Sequence, residues 1–427
     1  MTEPDGPFPG GTRPADQFSL RRHNLALVLR NVREAGPRSR ARIAAVTGLN
    51  KATVSSLVAD LVERGLLREG STERGGVGRP GQVVELDGAS VCGIGAEVNV
   101  DYLAAVATDL AGRVVGERRL AVNASAIGPD AALDQLVRLL ADVLDAVSAE
   151  GGTAVGITVA VPGLVDTAAG RVVLAPNLGW RDVPVVQSVR ERLGGWQAPL
   201  LTDNEANLAA IAEMAADRSA ACRDLVVLFG AAGVGGGVVS NGRVLRGTRG
   251  FAGEVGHITV DPHGLRCGCG RTGCWETVVG LAALMAQVAD PDDPVRDPVR
   301  DLGDRLAELN RRAELGDHRT LAALQRLGSW LGIGASILVN VLNPRVLVLA
   351  GYFAQLGPWV TAAVERELST RVVAAKAGGC EVRLSTLGFS AAARGGAEVA
   401  LVPVLTDPTL VDRLDAEAET QPMGGAS

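Results

Sequence analysis

The chain has 427 residues, 47% of them hydrophobic and 21% charged, so it can bury more than one core and is long for a single domain. A formal net charge of −6 excludes nucleic-acid affinity as a property of the whole chain. The charge is uneven: residues 19–82 carry 12 Lys/Arg against 5 Asp/Glu, a balance of +7 that leaves −13 for the remainder. A basic head on an acidic body fits a protein whose head alone meets phosphates.

Residues 1–18 and 408–427 are polar or Pro/Gly-rich and read as loose tails. The opening MTEPDGPFPGGTRPADQ is unlike a secretory signal. The longest apolar stretch, LVVLFGAAGVGGGVVS at 225–240, is too short and too glycine-broken to span a membrane. A cytoplasmic protein with no membrane contact is expected, nucleoid-associated when bound to DNA.

The first helix is expected at residues 20–35, stopped by Gly36-Pro37. A short helix at 40–47 ends at Gly48, and Asn50 caps another running to about residue 64. Two short strands, at 66–68 and 83–86, flank the arginine-bearing loop REGSTERGGVGRPGQ and make a two-stranded wing. In ATVSSLVADLVERG, Val54, Leu57, Val58 and Leu61 have the spacing that packs a recognition helix on its partner. Lys51, Thr53, Ser55 and Ser56 lie where base edges and phosphates are reached. Arg40 and the wing arginines Arg74 and Arg79 complete the candidate DNA-binding set. A small helical bundle for packing or dimerisation is the blander reading of the same segment.

From about residue 91 the pattern turns α/β. Apolar strand-like runs at 91–95, 103–108, 154–161, 225–229, 234–240 and 345–349 alternate with helical patterns at 130–149, 205–216, 281–287 and 328–342. That alternation predicts a two-lobed α/β body. No short-period repeat is visible.

Three of the six cysteines fall within eight residues, in GEVGHITVDPHGLRCGCGRTGCWE. Such clustering suits a metal better than a disulfide framework, and so a reducing compartment. Cys267, Cys269 and Cys274 with His257 make a Cys3His set for structural Zn2+, with no open position for a reactive water. Gly268, Gly270 and Gly273 let the loop curl around one ion. His263 is the competing imidazole, and free thiols or a disulfide with one cysteine left over are the alternatives. Cys92, Cys222 and Cys380 read as core residues.

These residues resemble the zinc signature of the ROK family (repressors, open reading frames and kinases). RGFAGEVGHI before the cysteines, and a helix-turn-helix with GVGRPG ahead of the body, resemble its repressor branch, the xylose and N-acetylglucosamine regulators. The resemblance covers residues 20–405 and implies an actin-like, hexokinase-like body whose two lobes enclose a sugar cleft. By motif it assigns sugar contacts to Asn177 in APNLGW, Asn204 and Glu205 in DNEAN, Glu254 and His257 in GEVGH, and Glu276 in GCWE. The chemistry agrees, since carboxylates and amides suit a ring of hydroxyls. The blander reading of Glu254 and Glu276 is solvated surface charge.

Three departures from the kinase pattern argue against phosphoryl transfer, so no catalytic residue is assigned. CGIGAEVNVDY at 92–102 lacks the paired glycines and threonine of the first phosphate loop. Glu205 stands where the kinase pattern has aspartate, and Ala350-Gly351 before Tyr352-Phe353 replaces the adenosine-side glycine pair. A second glycine run, Gly233 to Gly237, survives in part.

The expected organisation is a winged helix-turn-helix at 19–87, a first lobe at 88–203 completed by 388–407, and a second lobe at 204–387 with the zinc site and oligomerisation surface. The expected function is a sugar-responsive transcriptional repressor. It would bind operator DNA as a homodimer or homotetramer and sense a sugar or sugar phosphate. The alternative is an ATP-dependent sugar kinase with an added DNA-binding head.

Overall fold

The computed structural model describes residues 17–72, 82–88, 90–217, 219–375 and 379–413. Two units separate in it: residues 1–87 with 402–427, and residues 88–401.

The first unit is built as its capping residues dictate. It contains α1 (Gln17–Ala35), β1 (Arg38–Ser39), α2 (Arg40–Thr47), α3 (Lys51–Glu63), β2 (Leu67–Thr72) and β3 (Gln82–Leu86). Gly48 ends α2 in the left-handed conformation (φ 73°), its N–H donating to Ala44 O. Two residues on, the Asn50 side chain accepts from Thr53 N at 2.8 Å and starts α3. Val54, Leu57, Val58 and Leu61 bury the apolar stripe of α3, with Leu25, Val28, Leu29 and Ile43 in the same unit's core. The wing has three strands in the order β1-β3-β2. The extra strand is two residues long, too short to leave a period in the sequence.

Asp60, buried in α3, holds the far side of this unit together. It accepts from Arg21 at 2.8 Å, Arg64 at 3.0 Å and Arg413 at 3.1 Å. Residues 407–413 therefore pack on this unit, with Arg22 also reaching Asp407 at 3.4 Å.

The body contains two five-stranded sheets. The first comprises β4 (Val91–Val98), β5 (Tyr102–Asp109), β6 (Val114–Ala121), β7 (Thr153–Val161) and, after a small hairpin sheet of β8 (Leu164–Asp166), β9 (Arg171–Ala175) and β10 (Trp180–Val183), β11 (Leu200–Asn204). Helices α4 (Ala124–Ala149), α5 (Val185–Arg192) and α6 (Glu205–Ala216) interleave with them. Gly128 (φ 76°) and Pro129 kink α4, and the stretch beyond is the helix expected at 130–149.

The second sheet comprises β12 (Leu225–Gly230), β13 (Val234–Ser240), β14 (Arg243–Val244), β15 (Val346–Gly351) and β16 (Glu381–Leu384). Its helices are α7 (Glu276–Val279), α8 (Leu281–Val288), α9 (Leu302–Glu314), α10 (His318–Leu342), α11 (Tyr352–Gln355) and α12 (Gly357–Arg371), before the last helix α13 (Ala391–Thr406).

The two sheets share one topology. In the first the order is β11-β7-β4-β5-β6, in the second β14-β13-β12-β15-β16. Each is an antiparallel three-strand meander to whose first strand two parallel strands are added. Parallel neighbours need crossovers, and helices supply them. Each sheet has its own apolar core, one around Leu133, Leu136 and Val159 and one around Trp275, Leu331 and Leu349. Helix α10 is long and apolar enough to cross a membrane, but 61% of its apolar window is buried in the body.

The boundary between the units falls inside α13, with Val402 onward in the first unit. The sequence alone places 388–407 with the first lobe and 408–427 in a tail, whereas the described residues from Val402 group with the head.

Candidate functional site

Strands β4, β7 and β11 run parallel and end side by side, and β12 ends in the facing sheet. Ligands of α/β sheets settle beyond such carboxyl ends. Here Asn99, Pro162, Gly163, Asn204, Ala231 and Gly233 surround a cavity of about 380 Å³, within the usual range for small-molecule sites.

All six residues assigned to the sugar line this cavity: Asn177, Asn204, Glu205, Glu254, His257 and Glu276. They arrive from separate elements. Asn177 sits in a single 3-10 turn, Pro176–Leu178, between β9 and β10. Asn204 ends β11, Glu205 opens α6, and Glu276 opens α7.

Their states differ. Asn204 is largely occupied by the fold: its Oδ1 accepts from Ala206 N and Asn207 N at 2.9 and 3.2 Å, and its Nδ2 donates to Gly163 O at 3.0 Å. Glu205 is the opposite case, its Oε2 buried without a hydrogen-bond partner. Burial pushes its carboxyl well above the usual range, and the charges of Glu97, Glu254 and Glu276 push it further. Burial likewise raises Glu254, which His257 counters and Glu276 reinforces.

Sequence reasoning missed the group behind Glu205. Glu97 is fully buried and accepts from Tyr102 Oη at 2.8 Å and Asn99 Nδ2 at 3.1 Å. Burial raises it to about 7 despite both hydrogen bonds. Glu97 is the lone acid in β4, where all eight residues are buried, and an acid in so apolar a strand was the available signal. Arg271 also lines the cavity.

The glycine run divides in two. Gly233 faces the cavity, and a Cβ there would lie 2.0 Å from Glu276 Oε2. Gly235 and Gly237 lie in β13, where Cβ atoms would strike Ala206 of α6, so both serve close packing of strand on helix. Tyr352 and Phe353 turn into the core of the second sheet.

His257, Cys267, Cys269 and Cys274 place one ligating atom each within 4.8 Å of one another, a cluster that could hold a metal ion. His257 Nδ1 lies 3.7 Å from Cys267 Sγ, and Cys269 Sγ lies 3.6 Å from Cys274 Sγ. Bonds of about 2.3 Å to a tetrahedral zinc would set sulfurs roughly 3.8 Å apart, so the donor set fits that ion. Gly270 and Gly273 have positive φ (89° and 75°), which turns the loop inward. His263 is not in the cluster. All six cysteines are free, with Cys92 and Cys222 buried and Cys380 half-buried.

In the first unit Lys51, Ser55 and Ser56 are exposed on α3 and Thr53 is partly so. Arg40 pairs with Glu69 of β2. Arg74 and Arg79 lie outside the described residues.

A winged helix-turn-helix followed by a two-sheet α/β body with a polar cavity defines a DNA-binding protein built on a sugar-kinase-like fold. The chain belongs to the ROK family, whose model matches residues 93–402, and the MarR family model matches residues 26–76. It is 32% identical over 388 residues to a xylose repressor of Bacillus spizizenii, covering 91% of this chain and 97% of that one. Among solved structures, a ROK family transcriptional regulator superposes with TM-score 0.71 at 22% identity, over 91% of this chain and 97% of that one. A ROK family glucokinase from Streptomyces griseus, crystallised with glucose and AMPPNP, superposes with TM-score 0.60 at 26% identity, over 72% and 98%.

Proposed function

We propose that the protein is a sugar-responsive transcriptional repressor. The observation that carries this reading is the convergence of Asn177, Glu205, Glu254, His257 and Glu276 on one cavity, in a chain whose head exposes Lys51, Ser55 and Ser56 on a capped helix. The repressors among its relatives support the same reading, and a xylose repressor makes a pentose the first sugar to try. The partners are operator DNA and a small sugar, and a head that reads a few base pairs calls for a homodimer or homotetramer on a pseudo-palindrome.

Zinc held by His257, Cys267, Cys269 and Cys274 would neutralise the thiolates and fix the loop between Glu254 and Glu276. The second nitrogen of His257 lies 3.8 Å from Glu254 Oε2, so the histidine joins the cluster to the cavity. With four protein ligands the ion has no position for a reacting water, and its role is structural.

Catalysis is not part of this reading. The stretch 92–102 has one glycine pair too few for a phosphate loop, and Glu97 within it is spent on Tyr102 and Asn99. The second reading is an ATP-dependent sugar kinase, favoured by the likeness to the S. griseus glucokinase and by Gly233 in the cavity wall. A mobility-shift assay on DNA from the protein's own upstream region, repeated with xylose and glucose, tests the first reading. ATP consumption above about 1 s⁻¹ with either sugar would favour the second.

A further inference from the structure

The two faces of the first sheet carry different side chains. On β6, Gly116 faces α4, where a Cβ would lie 3.1 Å from the Ala146 Cβ. Side chains alternate along a strand, so Glu117 and Arg119 point to the opposite face. On β4, Gly93 and Gly95 abut the backbone of α13 and leave Glu97 on that same face. There the polar groups form one line. Glu97 Oε1 accepts from Tyr102 Oη at 2.8 Å. The Arg119 guanidinium sits 5.0 Å from the centre of the Tyr102 ring and 4.6 Å from that of Phe389. Arg119 Nη2 then donates to Asp301 Oδ2 at 2.6 Å.

Asp301 is the N-cap of α9, and its two oxygens are divided. Oδ1 accepts from Gly303 N at 2.8 Å and Asp304 N at 3.4 Å, while Oδ2 holds Arg119. One turn on, Arg305 meets Asp101 of the first sheet at 3.4 Å, both side chains being less than a tenth exposed. A neighbouring face of α9 buries Leu302, Leu306 and Leu309 in the core of the second sheet. Helix α9 is thus carried by the second sheet and tied to the first by two ion pairs.

The other end of the line reaches the cavity. Asn99, part of the cavity wall, donates from Nδ2 to the same Glu97 oxygen at 3.1 Å. The second Glu97 oxygen is buried without a partner, so Asn99 and Tyr102 carry that carboxyl between them. An occupant that hydrogen-bonds the Asn99 amide competes with Glu97 for it. What Glu97 loses there falls on Tyr102, whose ring supports Arg119.

We propose that the line from Asn99 through Glu97, Tyr102 and Arg119 to Asp301 transmits occupancy of the cavity to α9, with Arg119 and Asp301 as positioning residues. This rests on the sugar-sensing reading above and adds the path by which a filled cavity alters how the two sheets are held together. Neither Arg119 nor Asp301 lines the cavity, so both act on the response and not on contact with the sugar.

The test uses full-length, zinc-loaded protein and its own upstream DNA, with D-xylose and D-glucose as probes. Calorimetry gives the sugar affinity. Anisotropy of labelled DNA with and without sugar gives the coupling, about 5–150-fold in wild type. Arg119→Ala should bring that ratio to within about twofold of unity while sugar affinity stays within about threefold of wild type. Asp301→Asn keeps an acceptor at the N-cap and should lower the ratio in the same way, and the double variant should go no further. Arg119→Lys keeps a charge facing Asp301 and should retain a larger ratio than Arg119→Ala. A wild-type ratio in Arg119→Ala would overturn the inference and leave sugar sensing intact. So would sugar affinity and melting temperature falling together in Arg119→Ala and Asp301→Asn, the mark of a purely structural role. A wild type that binds neither sugar, or whose DNA affinity ignores a bound one, would remove the sugar-sensing reading itself.

Discussion

His257 Nδ1 faces Cys267 Sγ at 3.7 Å while its Nε2 faces Glu254 Oε2 at 3.8 Å, so one imidazole borders both the Cys3His cluster and the polar cavity. Order in the cluster and order in the cavity are then one property.

Removing the metal should therefore abolish the sugar response. Cys269→Ser, or chelation of the wild type, should eliminate stoichiometric zinc and the stabilisation that sugar gives in a thermal melt. Glu254→Gln, which keeps all four ligands, should weaken metal affinity by about 10–100-fold. Metal analysis and melting curves on the same samples check this, and a Cys269→Ser protein with full sugar-induced stabilisation would separate the two sites.

Lys51 is exposed at the first position of α3, and we propose that it contacts a DNA phosphate. Lys51→Ala should weaken binding to operator and to unrelated DNA alike and reduce the slope of log affinity against log salt by about 1. A loss confined to the operator would mean a base contact.

Glu97 should make stability fall as pH rises. Its carboxyl moves from 4.5 to about 7 on folding, chiefly through burial. The folded state therefore binds the proton more tightly than the unfolded one. This difference costs nothing below pH 4.5 and grows as pH rises through 7, reaching on the order of 3 kcal/mol. Glu97→Gln should remove that decline, measured as denaturant midpoints for both proteins between pH 5 and pH 7.5. Parallel curves would contradict it.

Local signals carried most of what the sequence revealed. Gly48 and Asn50 end and start helices through their own backbone and side chain, so α2 and α3 were legible to the residue or nearly so. The Cys3His cluster was legible because its three cysteines lie within one short loop, and the choice between His257 and His263 needed the fold. The shared topology of the two sheets was not legible, because strand order is set by pairing across long separations. Strands such as Leu164–Asp166 and Arg38–Ser39 were too short to show a period. The path of residues 407–413 depends on Asp60 meeting Arg413, a contact no local pattern announces. Glu97 left one faint local signal, an acid within an otherwise apolar strand, and its pairing with Tyr102 and Asn99 shows only in the fold.

As a sugar-responsive repressor, the protein should hold DNA less tightly once sugar is bound. Fluorescence anisotropy of labelled upstream DNA, titrated with zinc-loaded protein at fixed salt with and without saturating neutral sugar, measures it directly. The account predicts that sugar weakens DNA affinity by about 5–150-fold, the usual span of allosteric coupling. An unchanged affinity, with the sugar shown to be bound, would contradict it.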